Sequence, residues 1–351
     1  MSDSGIFGDL SVSYTEFYVD DAMGVSGDLM VRWGFVPFAT SGSADGDHYS
    51  VALRQSDVVL VVTEGRTDDH PASAYVRSHG SGVANIALRV PDAQAAHGEA
   101  MRRGAISVDR VPSSIRAFGD VTHTFVSSSD QSDPALPVSF VRFDSGGDER
   151  WIGLRQVDHF AVCLPSGELD STIEFYQDVL GFKMLFAEHV VVGSQAMNSK
   201  VVQSALGAAT FTFLEPDVSA QPGQIDNFLN NHGGAGVQHV AFSAENIVRA
   251  VGALNTRGVE FLRTPASYYD LLGQRLEIAR HSVDDLRELN LLVDEDHDGQ
   301  LFQIFAASTH PRRTFFFEVI ERLGARTFGS GNIKALYEAV ELERLSARVS
   351  E

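Results

Sequence analysis

Three ionisable residues stand inside apolar runs in the second half of this 351-residue chain: His159 in VDHFAV, His239 in GVQHVAF and Glu318 in TFFFEVI. Burying an ionisable group in such a run is costly unless it has a partner. Two neutral imidazoles and one carboxylate make the facial triad of non-haem Fe(II) oxygenases, which leaves coordination positions open for substrate and dioxygen. The competing reading is bland. A single strand histidine is more often a hydrogen-bonded core residue, and a single strand glutamate is usually exposed.

The runs are short and read as strands, in which alternate residues share a face. That alternation puts His159 with Ala161, His239 with Val237 and Ala241, and Glu318 with Phe316 and Ile320. A repeat favours the triad. Residues 73–104 and 226–258 share their HG, GV and RG landmarks, but Asn85 in the first copy becomes His239 in the second. Aligning YTEFYV with VDHFAV sets Glu16 at the position of His159, and the stretch 119–125 aligns with 299–305. On this alignment no acid of the first copy matches Glu318, so the second half reads as catalytic and the first as scaffold. His79 and His232 precede glycine turns in both copies and read as structural, while His123 and His310 read as structural or solvated. The run Asp294 to Gly299 imitates a calcium loop, but its twelfth position is Phe305 and no helices flank it.

Each half runs strand, helix, strands, helix, strands, which gives an α+β protein of two domains, 10–145 and 152–350. The stretch from Ser127 to Arg150 is the linker region, with Val138 to Val141 a candidate closing strand. Apolar residues at Ile333, Leu336, Tyr337, Val340 and Leu345 make the tail an amphipathic helix, capped by Asn332 and unmatched in the first half. It is a candidate lid. The net charge of −20 argues against nucleic acid or an anionic membrane as partner. A lone cysteine, Cys163, excludes an internal disulfide and a cysteine-rich zinc site. No apolar run is long enough to span a bilayer and no signal peptide is visible, so a cytoplasmic location is expected.

The stretches VDHFAV, AMNSKVVQS, QIDNFLNNHGGAGVQHVAF, GQLFQIF, FFFEVIER and FGSGNIKALYEAVELER together resemble the 4-hydroxyphenylpyruvate dioxygenases, a family that includes the 4-hydroxymandelate synthases. The resemblance implies two tandem vicinal-oxygen-chelate domains of paired βαβββ modules, with Fe(II) in the C-terminal barrel. It implies His159, His239 and Glu318 as iron ligands, and 4-hydroxyphenylpyruvate and O2 as substrates. Ser199, Gln224, Gln303 and Asn332 fall on polar positions around the substrate, and Phe305 and Phe316 on its aromatic walls. Gln238 also matches, although alternation points it away from His239. Gln303, Phe316 and Ile333 are the positions expected to act on the reacting substrate. Two departures bear on the product. The homogentisate-forming members usually read Gly-Asn-Phe where this chain has Gly331-Asn332-Ile333. They also read Pro-Ile-Asn-Glu-Pro where it has Thr212-Phe213-Leu214-Glu215-Pro216, which brings Thr212 into the expected substrate wall. Both departures favour benzylic hydroxylation to 4-hydroxymandelate, a precursor of 4-hydroxyphenylglycine in peptide antibiotics. The alternatives are a homogentisate-forming dioxygenase and a non-catalytic binding protein of the same fold. A homodimer is expected from the same resemblance.

Overall fold

The computed structural model describes residues 5–43, 46–108, 111–127, 136–137, 139–144, 152–327 and 331–332. Its first half comprises β1 (Ser11–Val19), α1 (Ala22–Val31), β2 (Val36–Gly42), β3 (His48–Gln55), β4 (Val58–Gly65), α2 (Pro71–His79), β5 (Gly82–Val90), α3 (Ala93–Arg102), β6 (Ser114–Arg116), β7 (Thr122–Ser127) and β8 (Val141–Arg142). The second comprises β9 (Leu154–Cys163), α4 (Leu169–Asp178), β10 (Lys183–Val192), β11 (Gln195–Gln203), β12 (Thr210–Pro216), α5 (Gln224–His232), β13 (Gly236–Ala244), α6 (Ile247–Thr256), α7 (Ala266–Arg275), α8 (Val283–Glu288), β14 (Leu292–Asp296), β15 (Gly299–Phe305) and β16 (Phe316–Leu323).

Each half is one eight-stranded curled sheet, ordered β6-β7-β5-β1-β4-β3-β2-β8 and β10-β11-β12-β9-β13-β16-β15-β14. Strand alternation divides each sheet between two apolar environments. One face of each sheet joins a core continuous across both halves, in which Trp33 packs on Phe317 at 4.9 Å and Phe118 on Phe213 at 5.8 Å. The other face of the second sheet lines the inside of its barrel-like curl. Its edge strands approach closely enough for Asp294 on β14 to act on the Glu188 carboxyl of β10, whose pKa burial and Asp294 raise. The repeat-equivalent His79 and His232 end α2 and α5 and stack on each other at 4.4 Å across the boundary between the halves.

Strict alternation fails at two places that matter. The β9–β13 ladder pairs Val162 with Val237 and then Ala161 with His239, so Gln238 is the extra residue of a β-bulge. Val237 therefore shares the face of Val162, and not that of His239 as alternation predicts. A second register shift, between His159↔Ala241 and Val157↔Phe242, makes Asp158 the extra residue of β9.

The same ladder in the first half corrects the repeat alignment. There Glu16 faces Asn85, Tyr14 faces Ala87 and Val12 faces Leu88, with shifts at the matching places. Register thus equates Tyr14, not Glu16, with His159. β7 runs parallel to β5 as β16 runs parallel to β13, so residues 122–127 correspond to β16 and not to the stretch 299–305. Thr124, opposite Ala87, holds the position of Glu318, opposite Ala241. In the expected closing strand only Val141 belongs to β8, which pairs with β2; Val138 lies outside the described residues.

Candidate active site

Three neighbouring strands deliver the triad to one point. Antiparallel pairing of β9 with β13 and parallel pairing of β13 with β16 set His159 opposite Ala241 and Ala241 opposite Glu318, while His239 sits opposite Ala161. Paired residues project to the same face. One ligand atom from each of the three residues lies within 4.8 Å of the others. The His159 and His239 Nε2 atoms lie 3.5 and 3.2 Å from the same Glu318 Oε2. Cis donors of an octahedral ion with bonds of about 2.1 Å are about 3 Å apart, so the set fits a small divalent cation. All three residues are buried, at 3%, 6% and 2% exposure.

The electrostatics suit metal binding. Burial holds the His239 pKa below its ordinary value, which keeps the ring neutral and its nitrogen available as a ligand. Burial resists ionisation of Glu318, but the imidazole of His159 foremost, with that of His239, outweighs it and holds the carboxyl below the usual range. Burial disfavours a charge on His159, but Glu318 and Asp158 outweigh it and raise its pKa, so a metal there displaces a proton.

The two imidazoles are held differently. His159 Nδ1 lies 2.9 Å from Asp158 Oδ1, so it donates there and leaves Nε2 aimed at the centre. Asp158 in turn accepts from Arg322 Nε and Nη2, each at 2.9 Å, and Arg322 Nη1 donates to the carbonyls of Ala325 and Thr327. Burial opposes the charge on Asp158, but Arg322 holds its pKa far below the usual carboxylate range. His239 Nδ1 is buried without a hydrogen-bond partner, and its ring is fixed by stacking on Phe316 at 4.8 Å and by Phe305 at 6.1 Å. Neither Asp158 nor Arg322 is evident from sequence as a site residue. Under strict alternation Asp158 would point away from its neighbour, and Arg322 follows 164 positions later.

The remaining expected residues fall into three groups. Ser199, Thr212 and Gln303 are buried and share the barrel face: Thr212 pairs with Ala161, Ser199 with Leu214, and Gln303 with Ile320. Gln224, Gln238 and Phe316 line one cavity of about 170 Å³ with Phe228 and Leu262, the bulge having released Gln238 from the alternation that would send it elsewhere. Asn332 is 1% exposed; its Nδ2, like Thr212 Oγ1, is buried without a partner. Ile333 and the tail helix lie outside the described residues.

The first half answers the metal site with hydrogen bonds. Asn85 Nδ2 donates to Glu16 Oε2 at 3.2 Å, Thr63 donates to Glu16 Oε1 at 2.8 Å, and Thr122 and Thr124 donate to Asn85 Oδ1. One further group, Asp47 with His48 and His70, gathers three possible donors at the surface. Its two rings lie near-parallel, at 19° and 5.3 Å. A single ion cannot lie in the planes of both.

Two family models match the chain. One, described as hydroxyphenylpyruvate dioxygenase N-terminal, covers residues 5–119. The other, the glyoxalase/bleomycin resistance protein/dioxygenase superfamily, covers residues 156–304. A probable 4-hydroxyphenylpyruvate dioxygenase of Aspergillus fumigatus is 31% identical, over 93% of this chain and 92% of its own. The 4-hydroxyphenylpyruvate dioxygenase of Dictyostelium discoideum is 29% identical, over 94% and 97%. Among solved structures, a mutant of 4-hydroxymandelate synthase from Streptomyces coelicolor superposes with a TM-score of 0.86 at 41% identity, over 95% and 98% of the two chains.

Proposed function

We infer that this chain, which belongs to the 4-hydroxyphenylpyruvate dioxygenase family of Fe(II)-dependent dioxygenases, converts 4-hydroxyphenylpyruvate and O2 into 4-hydroxymandelate and CO2. The observation that carries the choice of product is the apolar barrel wall at Leu214. Leu214 is 7% exposed, pairs with Ser199 and Cys163, and packs with Ala161, Met197 and Val190. Homogentisate-forming members usually present a carboxamide at that position of the Pro-Ile-Asn-Glu-Pro stretch. An apolar wall offers the substrate no hydrogen bond there, and placement differences of about 1 Å redirect such chemistry. The greater identity to the synthase than to the two dioxygenases above supports the same reading.

Bound Fe(II) supplies the Lewis acidity and redox capacity that let a 2-oxo acid react with dioxygen. We assign its binding to His159, His239 and Glu318. Glu318 balances its charge, and the buried ligand set keeps the reacting centre dry. Phe316 and Phe305 limit the ring's freedom from the His239 side. The unpartnered Thr212 Oγ1 and Asn332 Nδ2, with Ser199 and Gln303, offer hydrogen bonds to the polar atoms of the substrate. Ile333 follows Asn332 where the homogentisate-forming members usually have phenylalanine. The reading includes a homodimer in the cytoplasm and a role in supplying 4-hydroxyphenylglycine for a peptide antibiotic.

Product identification tests it. Iron-loaded protein given 4-hydroxyphenylpyruvate should release 4-hydroxymandelate as the main aromatic product, and homogentisate in its place refutes the assignment. Leu214→Asn combined with Ile333→Phe should raise the homogentisate fraction.

A further inference from the structure

On one side of the boundary between the halves a tyrosine fills the packing, and on the other side the leucine at the matching position lines a cavity. Counting back from the matched pairs Gly34-Phe35 and Gly181-Phe182, Leu29 of α1 occupies the position of Tyr176 of α4. Register makes Phe317 the counterpart of His123, since Val240 faces Phe317 as Ile86 faces His123. Tyr176 is fully buried, with its ring 4.9 Å from Phe213 and 5.0 Å from Phe211. His123 Nδ1 donates to the Ile86 carbonyl, so its Nε2 accepts the Tyr176 hydroxyl at 2.7 Å. On the other side the counterparts Leu29 and Phe317 instead line a cavity of about 460 Å³, together with Phe17, Trp33 and Phe315. That volume suits a small ligand. None of the three candidate iron ligands lines it.

Its polar rim is mainly acidic. Asp20, Asp21, Asp28 and Glu260 line the opening against a single guanidinium, Arg32, which is already paired with Asp28 and donates to the Gly258 carbonyl at 3.4 Å. Asp20 accepts from Ser81 and Asp21 from the Gly24 amide, bonds that leave carboxylate lone pairs unused. His310, the remaining titratable group of the rim, is held below its ordinary pKa by burial and by Arg312, so it adds no cation near neutral pH.

We propose that this cavity binds a small aromatic amine. Its ring lies against Trp33, Phe315 and Phe317, and its ammonium group meets Asp20 and Glu260. Aromatic walls receive an aryl ring in edge or offset contact, and the acidic rim selects the cation over an anion of the same shape.

Tyramine is the probe, and 4-hydroxyphenylacetate, the same ring with an anionic side chain, is the control. The chain has two tryptophans, so in a Trp151→Phe background Trp33 alone reports occupancy through its fluorescence. Tyramine should quench Trp33 saturably, and the acid should bind at least about tenfold more weakly, as expected when four rim carboxylates oppose it. Leu29→Tyr, which restores the side chain of the matching position, should abolish the effect by filling the space, and Val25→Phe should do so from the same wall. Asp20→Asn and Glu260→Gln should each weaken tyramine by roughly two- to fivefold, the worth of an exposed charge contact. The proposal is overturned by a quench that does not saturate. Equal affinity for the acid also overturns it, as does tyramine binding that survives both filling substitutions.

Discussion

Replacing Asp158 with asparagine tests how the site holds its metal. The substitution preserves volume and leaves a carbonyl to accept from His159 Nδ1, but it removes the charge that Arg322 and the imidazole share. Both sets of bonds are near 2.9 Å and charge-assisted. A hydrogen bond to a charged group contributes about 1.5–3 kcal/mol, so Fe(II) affinity should fall by about 10- to 100-fold, the range usual for groups that orient a metal-binding histidine. The substitution also removes the carboxylate that faces Arg322, whose side chain is only 21% exposed, and breaking a buried pair costs about 3–5 kcal/mol. The two effects separate in the double variant Asp158→Asn/Arg322→Met, which should regain thermal stability without regaining iron affinity. Anaerobic competition against a chromophoric chelator measures the affinity, and the melting temperature of metal-free protein measures the fold. Iron affinity within about twofold of the parent in Asp158→Asn, with stability lowered, would refute the idea that this carboxylate prepares His159 for the metal.

Two other outcomes follow from the geometry. Glu318→Ala should remove stoichiometric iron and oxygen uptake while leaving far-ultraviolet circular dichroism unchanged; full activity would refute the ligand assignment. Acid should weaken the fold through its buried histidines. Burial foremost pushes His123 and His232 down to about 4. The unfolded chain, with histidines near 6.5, then binds more protons, and stability present above about pH 6.5 is lost as pH falls toward 4, by roughly 3 kcal/mol per histidine. His232→Asn should flatten the melting-temperature profile between those limits, and an unchanged profile would remove His232 from the account.

The parts of the molecule legible in sequence were those carried by residue type within a period. Histidines and a glutamate inside apolar strands marked the residues that converge in one buried cluster, and the landmark glycines of the repeat marked the duplication. Position-specific irregularities were not legible. The bulges fall on Gln238 and Asp158, neither of them a glycine that would signal a break in alternation. Hence alternation sets Val237 on the wrong face, gives no sign of Asp158, and aligns Glu16 two positions from the true counterpart of His159. The swap of β7 with β15 has a similar source. Short alternating strands look alike, and only parallel pairing with β5 or β13 tells which is which.

The matching bulges of the two halves have an evolutionary consequence. The cradle that aims three side chains at one point is a property of the duplicated backbone, present whether or not ligands occupy it. Tyr14, Asn85 and Thr124 stand where His159, His239 and Glu318 stand, on strands of the same register. Gain or loss of a metal centre can therefore work through side chains, those of the triad and of the groups that hold them, on a strand register already in place. In the first copy Glu16, Asn85 and three threonines close the same cradle with hydrogen bonds.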